Sequence, residues 1–562
     1  MTESPLDCEV LVVGAGPTGL IAADLLKRSG VDVRIVEKRI EATRESRAFA
    51  VQARTLELMQ SIGLSEQFLA RGVMTTGVDI HVHGKFRGGL NTDRADAPDT
   101  PFPYILMIAQ SETENILIED LVALGVEVER GQEVLELQQD ATGASASLRD
   151  RNGASSQIRC AYVIGADGSR SIVRKSASID FTGGTYAQSF LLADCKVDWP
   201  LDHHRFRVFI NGRRIGLFLP LGGSSLSRVM ATDLTTDEDG DASAGLELDL
   251  TELQDAFEKS ACIPAKLSDP VWVTRYRAHH RAAERYRAGR MFVAGDAAHI
   301  HSPAGGQGMN TGLQDAANLA WKLAAVLRRG ADDELLDNYH DERKPIGELV
   351  VRTTGKLFAA AAGQAGWKAV IRDVAAKLFL PIVSRTAKFH RKGFFNVSER
   401  NVSYGLSRYV GEGPCWPDKG PRVGERAPNV GINSDRDMFA LLKGYRFNIV
   451  AFSRQPLDAD TCAQIHAHLD ALTDAFPFAV SHLVARFAFG IDERCVFANG
   501  PDVFDRYGID DGDNRQAIYV IRPDNYVAWR VTGLDFEACR RFLGEFGAPR
   551  QGDRAVHPVA AE

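Results

Sequence analysis

Glu9-Val10-Leu11-Val12-Val13-Gly14-Ala15-Gly16-Pro17-Thr18-Gly19 runs from a short apolar strand into three glycines, and a helical pattern follows from Leu20 to Ser29, closed by Gly30. Each glycine has a mechanical task. Gly14 turns the strand tightly, Gly16 lets backbone approach a pyrophosphate, and Gly19 lets helix pack on strand while the helix N-terminus, with Pro17 and Thr18, faces an anion. Val31–Val36 is the next strand and ends at Glu37, 18 residues past Gly19, where a carboxylate accepts hydrogen bonds from a ribose diol and Lys38 lies beside it. Strand before, helix after and acid at this distance make a βαβ dinucleotide-binding unit, against the bland reading of a tight strand–helix turn. A flavin enzyme with a dedicated nicotinamide domain would show two such fingerprints, and this chain shows one.

The 562 residues suggest three or four domains. With 44% hydrophobic and 25% charged residues, disorder, collagen and coiled coil are excluded. A net charge of -8 gives no general attraction to nucleic acid or anionic lipid, so neither is an expected partner and a small molecule is. Eight scattered cysteines without a CxxC argue against zinc, a redox dithiol or a disulfide framework, and no metal site is expected. The polar N-terminus has no export signal, so a cytoplasmic protein is the expectation. Leu349 to Val383, the most apolar later stretch, is broken by Arg352, Lys356, Lys368, Arg372 and Lys377, and reads as helices packed on a domain.

Further along, Cys160–Ile164 is a buried-type strand ending in Gly165-Ala166-Asp167-Gly168, and Met291–Ala294 is another, ending in Gly295-Asp296. An aspartate at a strand's end, Asp296, suits a ribityl hydroxyl. Pro303-Ala304-Gly305-Gly306-Gln307-Gly308-Met309-Asn310 then brings backbone close to something flat, before a helix from Thr311 to Arg329 whose N-terminus suits a ring that becomes anionic on reduction. Between these motifs the period changes to two, in Phe190–Val197, Arg205–Asn211, Ile215–Leu219 and Val271–Tyr276, as in an antiparallel sheet. The pattern divides the chain into a Rossmann-like domain (1–180 and 282–345, with an excursion at about 78–104), an antiparallel-sheet substrate domain (181–281), a helical linker (346–424) and a final α/β domain (425–562).

In these residues the chain resembles the single-component flavoprotein monooxygenases, the FAD-dependent aromatic hydroxylases of the phenol hydroxylase and polyketide hydroxylase branch. The Gly14–Gly19 fingerprint with Glu37, the Asp-Gly motif from Tyr162 to Arg174, and Gly295-Asp296 with Pro303–Asn310 match that family in order and spacing over about 300 residues. Arg47–Glu57, with Gln110 and Glu114, and the stretch Val520–Arg530 of a thioredoxin-like last domain look like the family too. The resemblance implies that Glu37 holds the adenosine ribose, Arg47 and Gln110 the pyrophosphate or ribityl region, and Asp296 the ribityl chain. Gly306, Gly308, Met309 and Asn310 would lie along the isoalloxazine, and Asp167 and Arg174 would belong to a motif serving FAD and NAD(P)H. It further implies reduction of FAD by NAD(P)H, with NADPH favoured, and oxygenation of a phenolic or polyketide-like substrate by O2 through a flavin C4a-hydroperoxide. Arg47, His301 and Pro303 are the candidate catalytic residues.

One departure stands out. Where the phenol hydroxylase branch carries a carboxylate just after the arginine matching Arg47, this chain has Phe49, Ala50 and Val51. Tyr186, His204, Arg205, Arg207 and His280 are then candidates for substrate activation, each weighed against an ordinary surface or core role. His299 reads as a loop hydrogen-bonder, and Arg385, Lys388, His390, Arg391 and Lys392 as a solvated face. The last domain lacks CxxC and reads as a packing or oligomer element, so a homodimer is possible. Baeyer–Villiger oxygen insertion, a non-oxygenating FAD-binding protein and, least suited, a nicotinamide dehydrogenase are the alternatives.

Overall fold

The computed structural model describes residues 5–42, 48–221, 226–233, 249–301, 306–361, 367–414, 416, 419–488, 494–512 and 514–549. Arg47, Pro303 and Gly305 fall outside them. Strand β1 (Cys8–Val13) is the centre of an eight-stranded sheet, pairing in parallel with β2 (Val33–Glu37) on one side and Ser155–Gly165 on the other. Met291–Val293 then pairs in parallel with Ser155–Gly165. The three sequence motifs therefore follow the carboxyl ends of three neighbouring parallel strands, at Val13, Gly165 and Val293, which is where open α/β sheets bind ligands. Helix α1 (Pro17–Arg28) and helix α2 (Gln110–Ala123) pack on this sheet, and α1 buries Leu20, Ile21, Leu25 and Leu26.

Three of the four period-two segments lie within longer strands, and the fourth, Arg205–Asn211, is a strand from Phe206 to Asn211. Phe181–Asp198 and Lys266–Ala283 each run 18 residues and pair antiparallel, approaching so closely that a Cβ on Gly183 would sit 1.9 Å from the His280 carbonyl oxygen. The sheet continues through Leu226–Asp233, Arg214–Pro220 and Phe206–Asn211 to the hairpin Gly77–Val82 and Lys85–Asn91, which enters from far upstream by parallel pairing with Phe206–Asn211. Leu226–Asp233 and the helix Leu250–Ala261 escape the sequence reading. The strand is buried at seven of its eight positions, so it has no alternating pattern to show.

Helix α3 (Gly308–Arg329) begins three residues before the expected start, so that Gly308, Met309 and Asn310 form its first turn, and Gly330 closes it at φ +74°. It is buried on nearly every side. Leu313, Ala316, Ala317 and Ala320 line its apolar face, while Thr311, Asp315, Asn318 and Lys322 form a second buried stripe, a polar one. Helices α4 (Asp337–Ala361), α5 (Trp367–Val383) and α6 (Ala387–Val397) follow. The last segment is a six-stranded mixed sheet in the order Gly411–Glu412, Val527–Thr532, Gln516–Ile521, Phe447–Leu457, Ala479–Ala488 and Cys495–Phe497. Among the described residues no disulfide is formed.

The polar stripe of α3 meets this last segment through buried charge. Glu342 of α4 accepts from Arg522 at 2.7 and 3.0 Å, from Lys322 at 2.8 Å and from Asn318 at 2.6 Å. Arg522 also grips Asp524, whose carbonyl accepts from Arg54. Burial pulls the Lys322 ammonium down to about 8. It would raise Glu342, yet Arg522 and Lys322 hold that carboxyl well below its usual range. Removing one member leaves buried charge uncompensated. Arg522→Met is expected to cost about 3–5 kcal/mol, read as a lowered urea midpoint by fluorescence of tryptophan, since Trp321 stacks beneath Arg522.

Candidate functional site

The first glycines divide their work in a way the geometry shows directly. Gly14 has φ +101°, and a Cβ there would lie 2.5 Å from the Ala166 carbonyl oxygen; on Gly19 it would lie 1.9 Å from the Gly14 oxygen. Both glycines are required by the protein's own backbone. On Gly16 a Cβ would meet nothing within 4 Å. Gly16 is also the N-cap of α1, makes no side-chain cap and is followed by Pro17, so the helix's first N–H groups face an open cradle. A pyrophosphate fits there, and the fit explains a glycine at a position where the fold itself does not demand one.

Glu37 closes the other side, accepting from the Ala15 N–H at 2.9 Å and the Arg39 N–H at 3.0 Å. This fixes the carboxylate at the end of β2 beside the glycine turn, with Lys38 exposed next to it. Thr18 links the first motif to the third: a Cβ on Gly295 or on Gly312 would come within 2.5 Å of its Oγ1, so α1, the Gly295 turn and α3 converge on that hydroxyl. Asp296 is exposed in the same turn.

Asp167 is tied into the second motif. Its Oδ2 accepts from the N–H groups of Ile172 and Val173 at 2.6 and 3.3 Å, capping the short helix Ile172–Ser176, and its buried Oδ1 has no partner among the described residues. Burial raises this carboxyl above its ordinary range. Arg174 stacks 3.9 Å over the Phe181 ring and donates to the carbonyls of Ala297 and Ser169, pinning the second motif to the third.

At the start of α3, Asn310 is fully buried. Its amide donates to the carbonyls of Ala50 and Gly306 and accepts from the Gln52 N–H, each at 2.9 Å. Gly306, at φ +61°, packs against Phe49, 3.3 Å from where its Cβ would be, and a Cβ on Gly308 would approach His301 Nε2 to 3.2 Å. Met309 is half-buried against the main core. Ala48, the first described residue after Arg47, is held at both ends: its N–H donates to Gln110 at 3.2 Å, its carbonyl accepts from Arg228 at 3.0 Å, and Gln110 in turn donates to Glu114 at 2.8 Å.

The sheet over this loop is apolar. Phe49, Met107, Phe190, Leu192, Leu217 and Met230 form one cluster, with Tyr186, Phe206 and Trp272 packed on it. Tyr186 packs against His280 with ring centroids 4.8 Å apart and planes tilted by 53°, Arg205 pairs with Asp79 at 2.8 Å, Arg207 pairs with Asp202, and His204 is exposed, its carbonyl accepting from Thr75. His299 donates through Nε2 to the Asp315 carboxylate at 2.7 Å, fully buried, and so holds the loop as expected.

Three groups escaped the sequence reading. Arg228 and Asp194 form a buried bidentate pair under Trp272, which donates to Asp194. Asp315 receives Arg343 at 2.7 Å, and Arg343 also donates to the Thr311 carbonyl and to Tyr404. Burial would raise Asp315, yet Arg343 and His299 hold it below its usual range. Glu399, at φ +58°, accepts from Thr311 at 3.2 Å and from Gln314, and burial pushes its carboxyl up to about 8. A charged residue two turns into a helix of small residues was the available signal for Asp315. Glu399 had none.

A family profile described as "FAD binding domain" matches residues 7–354. Pentachlorophenol 4-monooxygenase of Sphingobium chlorophenolicum is 32% identical over 94% of both chains. Rifampicin monooxygenase of Streptomyces venezuelae is 38% identical over 67% of this chain and 76% of its own. The anhydrotetracycline hydroxylase OxyS from Streptomyces rimosus superposes with a TM-score of 0.71 at 28% identity, covering 97% of this chain and 100% of its own. The chain belongs to the FAD-binding family that these aromatic monooxygenases share. It is an enzyme, a flavin monooxygenase, with the mixed α/β fold of the aromatic hydroxylases.

Because Gly16, unlike Gly14 and Gly19, is free of its own chain, Gly16→Ala should fold normally by circular dichroism and lose bound FAD, read as flavin absorbance per protein. Gly19→Ala should lose the fold. Glu399 supplies a pH test. Its raised value means the native state holds a proton that the unfolded chain releases at about 4.5, so its stabilisation is complete below that pH and is lost as pH rises through about 8. Glu399→Gln should flatten the fall of the urea midpoint between these limits, leaving the slope of Asp24, which burial also raises to about 8.

Proposed function

We propose that the protein is an NAD(P)H-dependent hydroxylase of a phenolic or polyketide-like aromatic, with NADPH favoured on family resemblance. The reaction balances as substrate C–H, O2, NAD(P)H and a proton giving C–OH, NAD(P)+ and water. The observation that carries this reading is the contact of Gly306 with Phe49, which sets the loop at the start of α3 directly under the apolar face of the antiparallel sheet.

Bound along the three strand ends, FAD would take a hydride and activate O2 for transfer to the ring. The chain's own residues do the rest. The N-terminus of α1 and the Gly16 cradle would bind the pyrophosphate, Glu37 the ribose, Gln110 and Arg47 the region between, and Asp296 the ribityl chain. Asp167, through its unpartnered Oδ1, stands where the family's shared FAD and nicotinamide motif would use it. Gly306, Gly308, Met309 and Asn310 would align the isoalloxazine, the N-terminus of α3 would favour negative charge on it, and the apolar cluster would exclude water. Arg47, His301 and Pro303 are proposed at the reacting end. Phe49 stands buried where a base would be sought, so the substrate either needs none or is activated from the sheet, with Tyr186 and His280 nearest to the apolar cluster.

The division into FAD, substrate, linker and thioredoxin-like domains is proposed on the same grounds. The last mixed sheet supports it with a central Phe447–Leu457 flanked by parallel and antiparallel neighbours. A homodimer and a cytoplasmic location remain part of the proposal. The name of the solved relative OxyS, an anhydrotetracycline hydroxylase, supports hydroxylation over Baeyer–Villiger insertion.

The purified protein should be yellow, and phenols or naphthoquinones should stimulate its NADPH oxidation with a product heavier by one oxygen. A colourless protein that takes up no FAD overturns the reading, and an ester or lactone product in place of a hydroxyl moves it to oxygen insertion.

A further inference from the structure

Helix α5 is inside out. Val370, Ile371, Val374, Leu378, Phe379 and Ile382 are each 47–63% exposed, whereas the side chain turned into the protein is a charged one. Asp373 is buried, bonded to His83 at 2.9 Å and to Arg372, which itself donates to the Gly212 carbonyl. These bonds fasten α5 to the turns of two hairpins at the edge of the antiparallel sheet, and Gly88 packs against Leu380 and Ser384. The expectation of helices packed on a domain therefore holds for one face of α5 only. Six large apolar side chains on one free helix face exceed the scattered exposure usual for a surface.

The charge around this face is segregated. Residues 349–398 hold nine Lys or Arg against the single Asp373, in a chain whose net charge is -8. Arg385, Lys388, Arg391 and Lys392 are exposed on or beside α6; His390, expected among them, is instead buried, accepting from the Asn91 N–H at 3.0 Å. An apolar helix face bordered by cations and nearly free of acids is the composition that lies in a lipid interface. A second copy suits it poorly, because a two-fold contact would set one cationic border against another.

We infer that the outer face of α5, with the exposed cations of α6, docks on an anionic lipid surface. The apolar side chains enter the acyl boundary and each cation near the headgroups strengthens binding about fivefold. None of the described helices is long and apolar enough to cross a membrane, so the docking is peripheral. The same α6 ends in Val397, which packs on the apolar cluster above the Gly306 loop, so the docking face lies at the border of the proposed substrate site. The inference does not depend on the hydroxylase reading.

The full chain should pellet with vesicles of phosphatidylcholine containing about one third phosphatidylglycerol, weaken as salt rises, and stay in solution with phosphatidylcholine alone. Leu378→Asp with Phe379→Asp, and separately Lys388→Glu with Arg391→Glu, should each reduce binding at least about tenfold with an unchanged circular dichroism spectrum. Failure to pellet with the anionic vesicles overturns the inference. Equal binding to neutral vesicles overturns it too, as does a dimer by light scattering that Phe379→Asp splits while no vesicle is bound, which would assign the face to a second copy.

Discussion

The Glu342 carboxylate, fully buried between Arg522 and Lys322, is the constraint from which the rest of the arrangement follows. Burying so many charges gains little net stability over an apolar packing, since desolvation offsets most of the attraction. Its value is geometric. Only one seating of the last sheet against α3 and α4 satisfies Glu342, Arg522, Asp524 and Lys322 together, and any slip leaves a charge unpaired in the interior. The network continues through Arg54 and Glu57 to Arg426, which also reaches Asp99, where Arg400 joins it. The C-terminal segment is thus keyed to the flavin half by charge.

Helix α3 transmits that constraint to the site. Its middle is locked by Lys322 and Asn318 to α4 and Arg522, its next turn by Asp315 to Arg343 and His299, and its first turn by Asn310 to Ala50, Gln52 and Gly306. The loop that would meet the isoalloxazine is therefore held through a rigid, buried helix. Gly295, whose N–H donates to Asp315 at 3.1 Å, ties the third strand end into the same lock.

The nucleotide half was readable in the sequence because its signals are local. A glycine whose Cβ would strike backbone, a strand running into it and an acid at the next strand's end lie within thirty residues, and so do Gly295 and the start of α3. The buried stripe Thr311, Asp315, Asn318 and Lys322 was not readable. At helical spacing those residue types describe a solvated face, and they become interior only when Glu342, 20 residues from Lys322, and Arg522, 180 from Glu342, arrive. Leu226–Asp233 was lost for the converse reason: buried on both faces, it has no alternation.

Whole-chain averages mislead at both kinds of surface. A glycine content of 51 in 562 hides the difference between Gly19, which the fold requires, and Gly16, which it does not. A net charge of -8 hides fifty residues carrying an excess of eight positive charges. Electrostatic attraction falls off within a Debye length of about 8 Å at physiological salt, so an approaching surface responds to the patch it meets and not to the total. The total argues against anionic partners for the molecule as a whole, while the patch on α5 and α6 selects them locally, and both statements follow from the same distance dependence.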